Sequence, residues 1–291
     1  MDRIKRFMGK DAKIGYSFLA PALILFALLN IYPTIYSFIL SFHKWNGLDP
    51  HMDFVGISNY LEIFKDKIFH KALLNTAFFS VFTVVVQSFL ALLLAVFIEN
   101  VRQKKLRAFF RITYYFPAII SPVVVALIWG WMFHPYNGAL NNILNTTFFW
   151  LSDKRTVMPA ILIANLWQWT GYNALIFSAG LQSVPKEIYE AADIDGANAW
   201  NKFWHVTIPS LKPVASVVIV TTLINGIKVF GLVQVMTAGG PNHLSEVMTT
   251  WLYKNAFGLG RLGYASAMGY VMTFISFILT FIYLKQVNKN D

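Results

Sequence analysis

Asn165, Trp167, Gln168, Trp169, Tyr172 and Asn173 interrupt one long apolar stretch, and Asn225, Lys228 and Gln234 interrupt another. Polar side chains inside such stretches are costly. They mark a pathway for a hydrophilic solute, or they join helices by hydrogen bonds. Lys228 is the most telling, because it sits about halfway along its stretch, where a long side chain reaches neither end. A partner acid, a hydroxylated solute or an anionic solute would each account for it. The aromatic members have a second reading, as part of a belt of Trp and Tyr at a membrane surface. Trp129, Trp131 and Gln87 are weaker members of the same class.

A second constellation lies between these two stretches: Glu190-Ala191-Ala192, Gly196, then Val206, Ile208 and Pro209. Its chemistry is docking rather than bond-making. Ser183 is a candidate helix cap and Pro185 suits a first helical turn. Glu187 would sit at the positive end of that helix. Ile188 and Ala192, one turn apart, form a small apolar face, leaving Glu187, Glu190 and Asp193 for water or a partner. Gly196 follows Asp195 where a helix end commonly needs a left-handed residue. Asn198 can cap a second short helix, whose Trp200, Phe203 and Trp204 make an aromatic ridge before Pro209 and Pro213 redirect the chain. A helix-glycine-helix unit of this kind passes motion to a partner by seating in its groove. The alternative is a helix lying flat on the membrane surface.

Other chemistries are excluded. The chain has no Cys, so disulfides, thiolate nucleophiles and Cys-bound metals are absent. His43, His51, His70, His134, His205 and His243 occur singly with no i, i+4 pair, so no metal site is expected. Ser266 lies among small residues, Gly263-Tyr264-Ala265-Ser266-Ala267, without the Gly-x-Ser-x-Gly spacing of a nucleophile elbow; helix packing accounts for it better. No catalytic residue is therefore assigned. No Gly-x-x-x-x-Gly-Lys-[Ser/Thr] loop is present, so the chain does not bind ATP by that chemistry.

These residues must be positioned by membrane-length helices. Of 291 residues, 56% are hydrophobic and only 13% charged, a composition suited to an integral membrane protein. Six stretches reach the about 20 residues that a helical crossing needs: residues 14–42, 72–98, 112–133, 157–182, 213–235 and 264–284. An all-α bundle follows, since membrane barrels show short alternating segments instead. Pro21, Pro33, Pro117 and Pro122 fall inside these stretches and are tolerated if neighbours satisfy the freed backbone groups. The first stretch, too long for a signal peptide, is expected to remain as an anchor. No loop is long enough for a separate soluble domain, so residues 1–291 read as one transmembrane domain.

Lys and Arg set the orientation. The N-terminal tail (Arg3, Lys5, Arg6, Lys10, Lys13), the loop at residues 99–111, the Glu190 loop and the C-terminal tail (Lys285, Lys289) together carry fifteen, against eight on the other side. The richer side, with both termini and the 185–209 element, is predicted to be cytoplasmic. The net charge of +10 resides mostly in these topology-setting loops, which argues against nucleic acid. The cluster Arg102 to Arg111 suits anionic headgroups.

The spacing Glu190-Ala191-Ala192, Gly196, Val206, Ile208, Pro209 resembles the cytoplasmic signature of permease subunits in binding-protein-dependent ABC importers. Ile194-Asp195-Gly196-Ala197 with Trp200, Phe203 and Trp204 resembles the carbohydrate branch. Leu19-Ala20-Pro21, Tyr32-Pro33, Thr237-Ala238-Gly239-Gly240-Pro241 and Leu262 to Ala267 look like the first of two permeases in importers of the maltose, raffinose and glycerol-3-phosphate type. The resemblance implies a type I importer fold in a bacterial cytoplasmic membrane and a heterodimer with a second permease. It also implies two ATPase subunits that hold ATP and Mg, an extracytoplasmic solute-binding protein, and a carbohydrate as solute. Glu190 would then pair with a basic residue in an ATPase groove while Gly196 forms the turn. Aromatic faces for C–H surfaces and amides for hydroxyls are both present among the polar residues of the fourth and fifth stretches. Two other classes read less well. An ion-coupled secondary transporter expects carboxylates within its spans, where only Glu99 lies at an edge, and an intramembrane enzyme expects a catalytic cluster.

Overall fold

A computed structural model describes residues 15–287. The basic residues of the N-terminal tail, and Lys289, lie outside these described residues, as does Ile14 at the start of the first predicted stretch. The chain is an all-α integral membrane protein with one two-stranded hairpin, β1 (His43–Lys44) against β2 (Asp53–Phe54). It divides into two compact units, residues 15–65 with Leu252–Val271, and Asp66–Trp251 with residues 272–287.

In the first unit, helix α1 (Gly15–Leu40) is the first predicted stretch and exposes most of its apolar side chains. It carries a π turn at Ala27–Ile31, in which Tyr32 N–H reaches the Ala27 carbonyl. Pro33 follows at once and has no N–H for the carbonyl one turn back, which loosens the ladder there. Helix α2 (Ser58–Ile63) and the start of the last helix complete the unit. At that start Gly263 packs so closely on strand β1 that a Cβ would lie 1.8 Å from the His43 carbonyl oxygen. Tyr264, Ala265 and Ala267 are buried beside it, so the small-residue run is a packing surface.

The second unit contains helices α3 (Lys67–Asn100), α4 (Lys104–Ile119), α5 (Pro122–Met132), α6 (Ala139–Leu144), α7 (Val157–Ser183), α8 (Lys186–Ile194), α9 (Ala199–Ser210), α10 (Lys212–Ile227) and α11 (Gly231–Met236). Helix α12 (Met248–Tyr253) follows, and α13 (Leu262–Val287) ends the described chain. Helix α3, capped by Asp66 through Ile68 N–H at 2.8 Å, runs for 34 residues. Among the described residues three helices (α1, α3 and α13) are long and apolar enough to cross a membrane, and five if each bent pair is one span. The remaining stretch is α7, long enough at 27 residues but diluted by the polar group at residues 165–173.

Two expected spans are not continuous. The third breaks after Ile119, and α4 and α5 meet at 98°. Ser121 precedes Pro122 and is driven to extended backbone, which ends the helix. The fifth breaks at residues 228–230, between Gly226 and Gly231, where helix propensity is lowest. Each break leaves carbonyls unpaired, and each has a side chain that answers one. Gln168 donates to the Ile120 oxygen at 2.9 Å, and the Thr249 hydroxyl donates to the Val229 oxygen.

At one end of the unit Glu99 ties three helices together. Its Oε1 accepts from Arg111 at 2.5 Å and from Ser178 at 2.6 Å, while Arg107 lies 3.7 Å from Oε2. Only 16% of this carboxylate side chain is exposed. Glu99→Ala leaves two guanidinium groups without their counter-charge, at an expected cost of about 1–3 kcal/mol. Thermal unfolding of the detergent-purified protein measures it, and an unchanged melting point would show that the cluster is ornamental to stability.

Candidate functional site

Seven of the nine polar and aromatic residues singled out in the fourth and fifth stretches line one cavity of about 250 Å³ within the second unit; Trp167 and Gln234 do not. Helix α7 presents Asn165, Gln168, Trp169, Tyr172 and Asn173; α10 and the break after it present Asn225 and Lys228. Spacings of three and four residues put the α7 group on one face. Trp167 falls outside the cavity, 40% exposed, its ring edge-on to Trp129 at 6.1 Å. Two residues along a helix is a rotation of about 200°, so Trp167 and Trp169 cannot share a face.

The wall also includes Gln87, a weaker candidate in the sequence, and residues the sequence left unremarked. Phe79, Thr83 and Gln87 of α3, one turn apart, face the cavity, and the last two bracket a π turn at Thr83–Gln87. Thr222 receives a hydrogen bond from Asn173 Nδ2 at 3.0 Å, joining α10 to α7. Phe230 comes from the end of the break and Leu232 from α11 beyond it. The readable signal for the α3 wall was the i, i+4, i+8 spacing of Phe79, Thr83 and Gln87.

Polar capacity is left over here. Gln168 is 1% exposed, its amide nitrogen is used on the Ile120 carbonyl, and its Oε1 has no partner. The edge-on rings of Trp169 and Tyr172, 6.0 Å apart, add aromatic surface. Behind Phe79, Val229 and Leu232 lies an apolar cluster with Val125, Ile161, Val233 and Val247 that closes one side. Amide groups and two aromatic faces around this small volume can hold a hydroxylated solute by few convergent contacts.

The second candidate site is the pair α8 and α9. Asp195 and Gly196 end α8 with both bonds of a Schellman motif: Gly196 N–H to the Asp193 oxygen at 3.1 Å, and Ala197 N–H to the Ala192 oxygen at 2.9 Å. Gly196 has φ +75°, the conformation that favours glycine, with open space around it. Asn198 caps α9 through Asn201 N–H at 2.8 Å. The expected Ser183 cap is replaced: Ser183 closes the last turn of α7 by donating to the Gly180 oxygen, and Pro185 occupies the cap position of α8. The inner face is also one residue round from expectation. Tyr189 and Ala192 are half-buried, with Tyr189 hydrogen-bonded to Thr207 at 3.2 Å, while Ile188 is exposed. Lys202 pairs with Asp193 at 2.6 Å across the two helices.

This bracing leaves a distinct outer surface. Glu190 and Ala191 are exposed, and Glu190 has no hydrogen-bonding or ionic partner among the described residues. Phe203 turns inward, whereas Trp200 and Trp204 pack edge-on at 5.6 Å and remain 67% and 43% exposed. Pro209 follows a π turn at Phe203–Thr207, repeating the arrangement before Pro33, and the chain then bends by 71° into α10.

A buried carboxylate in the loop after α11 was not anticipated. Glu246 is wholly buried, with His243 Nδ1 2.7 Å away, and a Cβ on Gly239 would meet its Oε1 at 2.4 Å. The loop is fixed to α3 by Lys71 to the Asn242 oxygen at 3.0 Å and by Asn75 to the Glu246 oxygen at 2.8 Å.

Broken membrane helices around a polar cavity, with a braced knuckle of short helices, define a membrane transport subunit, a permease rather than an enzyme. Residues 67–289 match the family described as binding-protein-dependent transport system inner membrane component, and the chain belongs to that family. It is 37% identical over 284 residues to the probable ABC transporter permease protein YurN of Bacillus subtilis (strain 168), covering 96% of this chain and 97% of that protein. It is 36% identical to the arabinooligosaccharides transport system permease protein AraP of the same organism, over 96% of this chain and 90% of that one. Its fold matches a chain of a bacterial alginate ABC transporter in complex with alginate pentasaccharide-bound periplasmic protein. That match has a TM-score of 0.84 over 97% of this chain and 96% of the other, at 22% identity.

Proposed function

We propose that this chain forms one transmembrane domain, residues 1–291, and is one of two permeases in a bacterial importer that carries an oligosaccharide across the cytoplasmic membrane. Both termini and the α8–α9 knuckle face the cytoplasm, in keeping with the Lys and Arg distribution. A solute-binding protein delivers the sugar outside, and two ATPase subunits hold ATP and Mg inside. Similarity to AraP supports the solute class.

The observation that carries the reading is the cavity, with its Asn165, Asn173 and Asn225 amides and its Trp169 and Tyr172 rings. Closure of the ATPase subunits moves Glu190, Ala191, Ala192, Asp195, Gly196, Trp200, Phe203 and Pro209 as one braced piece. The breaks at Ser121 and at residues 228–230 border the cavity, so a displaced knuckle changes which side it opens to.

The test is uptake into proteoliposomes holding both permeases, the ATPase and the binding protein. Replacing Trp169 and Tyr172 together by Ala is expected to lower ATP-dependent oligosaccharide uptake about tenfold or more, while the ATPase still copurifies. Unchanged uptake by this double variant would place the pathway elsewhere.

A further inference from the structure

Lys228 is the one Lys, Arg, Asp or Glu among the residues that line the cavity, and none of its neighbours there is acidic. It is exposed to that space, and among the described residues it has no ion-pair or side-chain hydrogen-bond partner. Its position is built rather than incidental. The backbone turns at Lys228 as the cap of α10, with its N–H on the Ile224 oxygen at 3.1 Å, and the negative end of that helix favours a cation without neutralising it.

A charge held in a membrane cavity loses part of its hydration, and a neutral hydroxyl does not return what an opposite charge would. Hydroxyls already have Asn165, Tyr172 and Asn225 to meet them. The cation therefore answers something those groups do not. Resting on the carbohydrate reading above, we infer that the solute is an acidic carbohydrate, one bearing a carboxylate or comparable anionic group, and that Lys228 binds that group during passage. A charge-assisted contact of this kind is stronger than the neutral contacts around it and would make Lys228 the selectivity residue of this half of the pathway.

The complete transporter, reconstituted with its binding protein, is offered maltotriose, xylotriose and arabinotriose as neutral solutes, and trigalacturonate and glucuronosyl-xylobiose as acidic ones. ATP-dependent uptake of an acidic member is expected, falling about tenfold or more in Lys228→Gln and largely restored in Lys228→Arg. Uptake of neutral members alone, or acidic uptake indifferent to Lys228→Gln, overturns the inference and leaves carbohydrate import standing. Loss of assembly in Lys228→Gln, judged by copurification of the ATPase, would assign Lys228 to a structural acid of the second permease and also overturns it. Uptake of none of the five by a transporter with active ATPase removes the carbohydrate reading itself.

Discussion

Glu190→Lys is expected to abolish ATP-driven uptake while the protein inserts and folds as before. Glu190 is exposed and has no partner within the described chain, so its reversal removes no contact that the fold depends on. Its effect is confined to whatever docks there. If a basic groove receives this carboxylate, reversing the charge replaces attraction by repulsion at a desolvated contact. Such losses run to several kcal/mol, or about a hundredfold and more in coupling. Gly196→Pro should give the same loss by a different route. Proline cannot adopt φ +75° and has no N–H for the Asp193 oxygen, so the turn that fixes α8 against α9 opens. Uptake, membrane level and ATPase copurification should be measured together. Normal uptake in both variants would reject the coupling role of the knuckle.

What the sequence disclosed about this knuckle was its local part. Gly196 and Asn198 act on backbone groups within five residues, and a pattern of that range is visible in one dimension. The facing of α8 was not, because whether Ile188 or Tyr189 turns inward is decided by Thr207, on another helix. The same division runs through the membrane part. Apolar length led to six expected spans, of which three are single helices long and apolar enough to cross a membrane, or five if each bent pair is one span, yet Pro122 alone does not say whether a helix kinks or folds back. The 98° corner stands because Gln168, far along the chain, supplies the donor that the Ile120 carbonyl needs. Lys228 was visible as an anomaly, but its place in a break between helices depends on Gly226 meeting Ser80 and on Thr249 reaching Val229. Glu246 was passed over because a charged loop residue is ordinarily solvated. Only the folded loop against α3 buries it.

The largest structural effect is expected at Gly171. This residue sits in the turn of α7 that carries Trp169, Tyr172 and Asn173, and α4 crosses it so closely that a Cβ would lie 1.7 Å from the Tyr114 carbonyl oxygen. The obstacle is backbone, which cannot rotate aside as a side chain can, so even Gly171→Ala must push the two helices apart. Overpacking typically costs about 1–3 kcal/mol, and Gly171→Val, with two more carbons at a backbone contact, should reach or exceed the top of that range. Displacement of α4 carries Tyr115 with it, whose ring lies 6.5 Å from that of Tyr172, so the cavity wall moves as well. Melting of the purified protein should fall steeply and uptake should drop to background. Gly130→Ala in α5 is the contrasting change, since its Cβ would meet nothing within 4 Å, and it should raise helix stability by about 0.5–1 kcal/mol. If Gly171→Val melted and transported like the native protein, α4 and α7 could not cross at this turn, and the cavity built on that crossing would have to be redrawn.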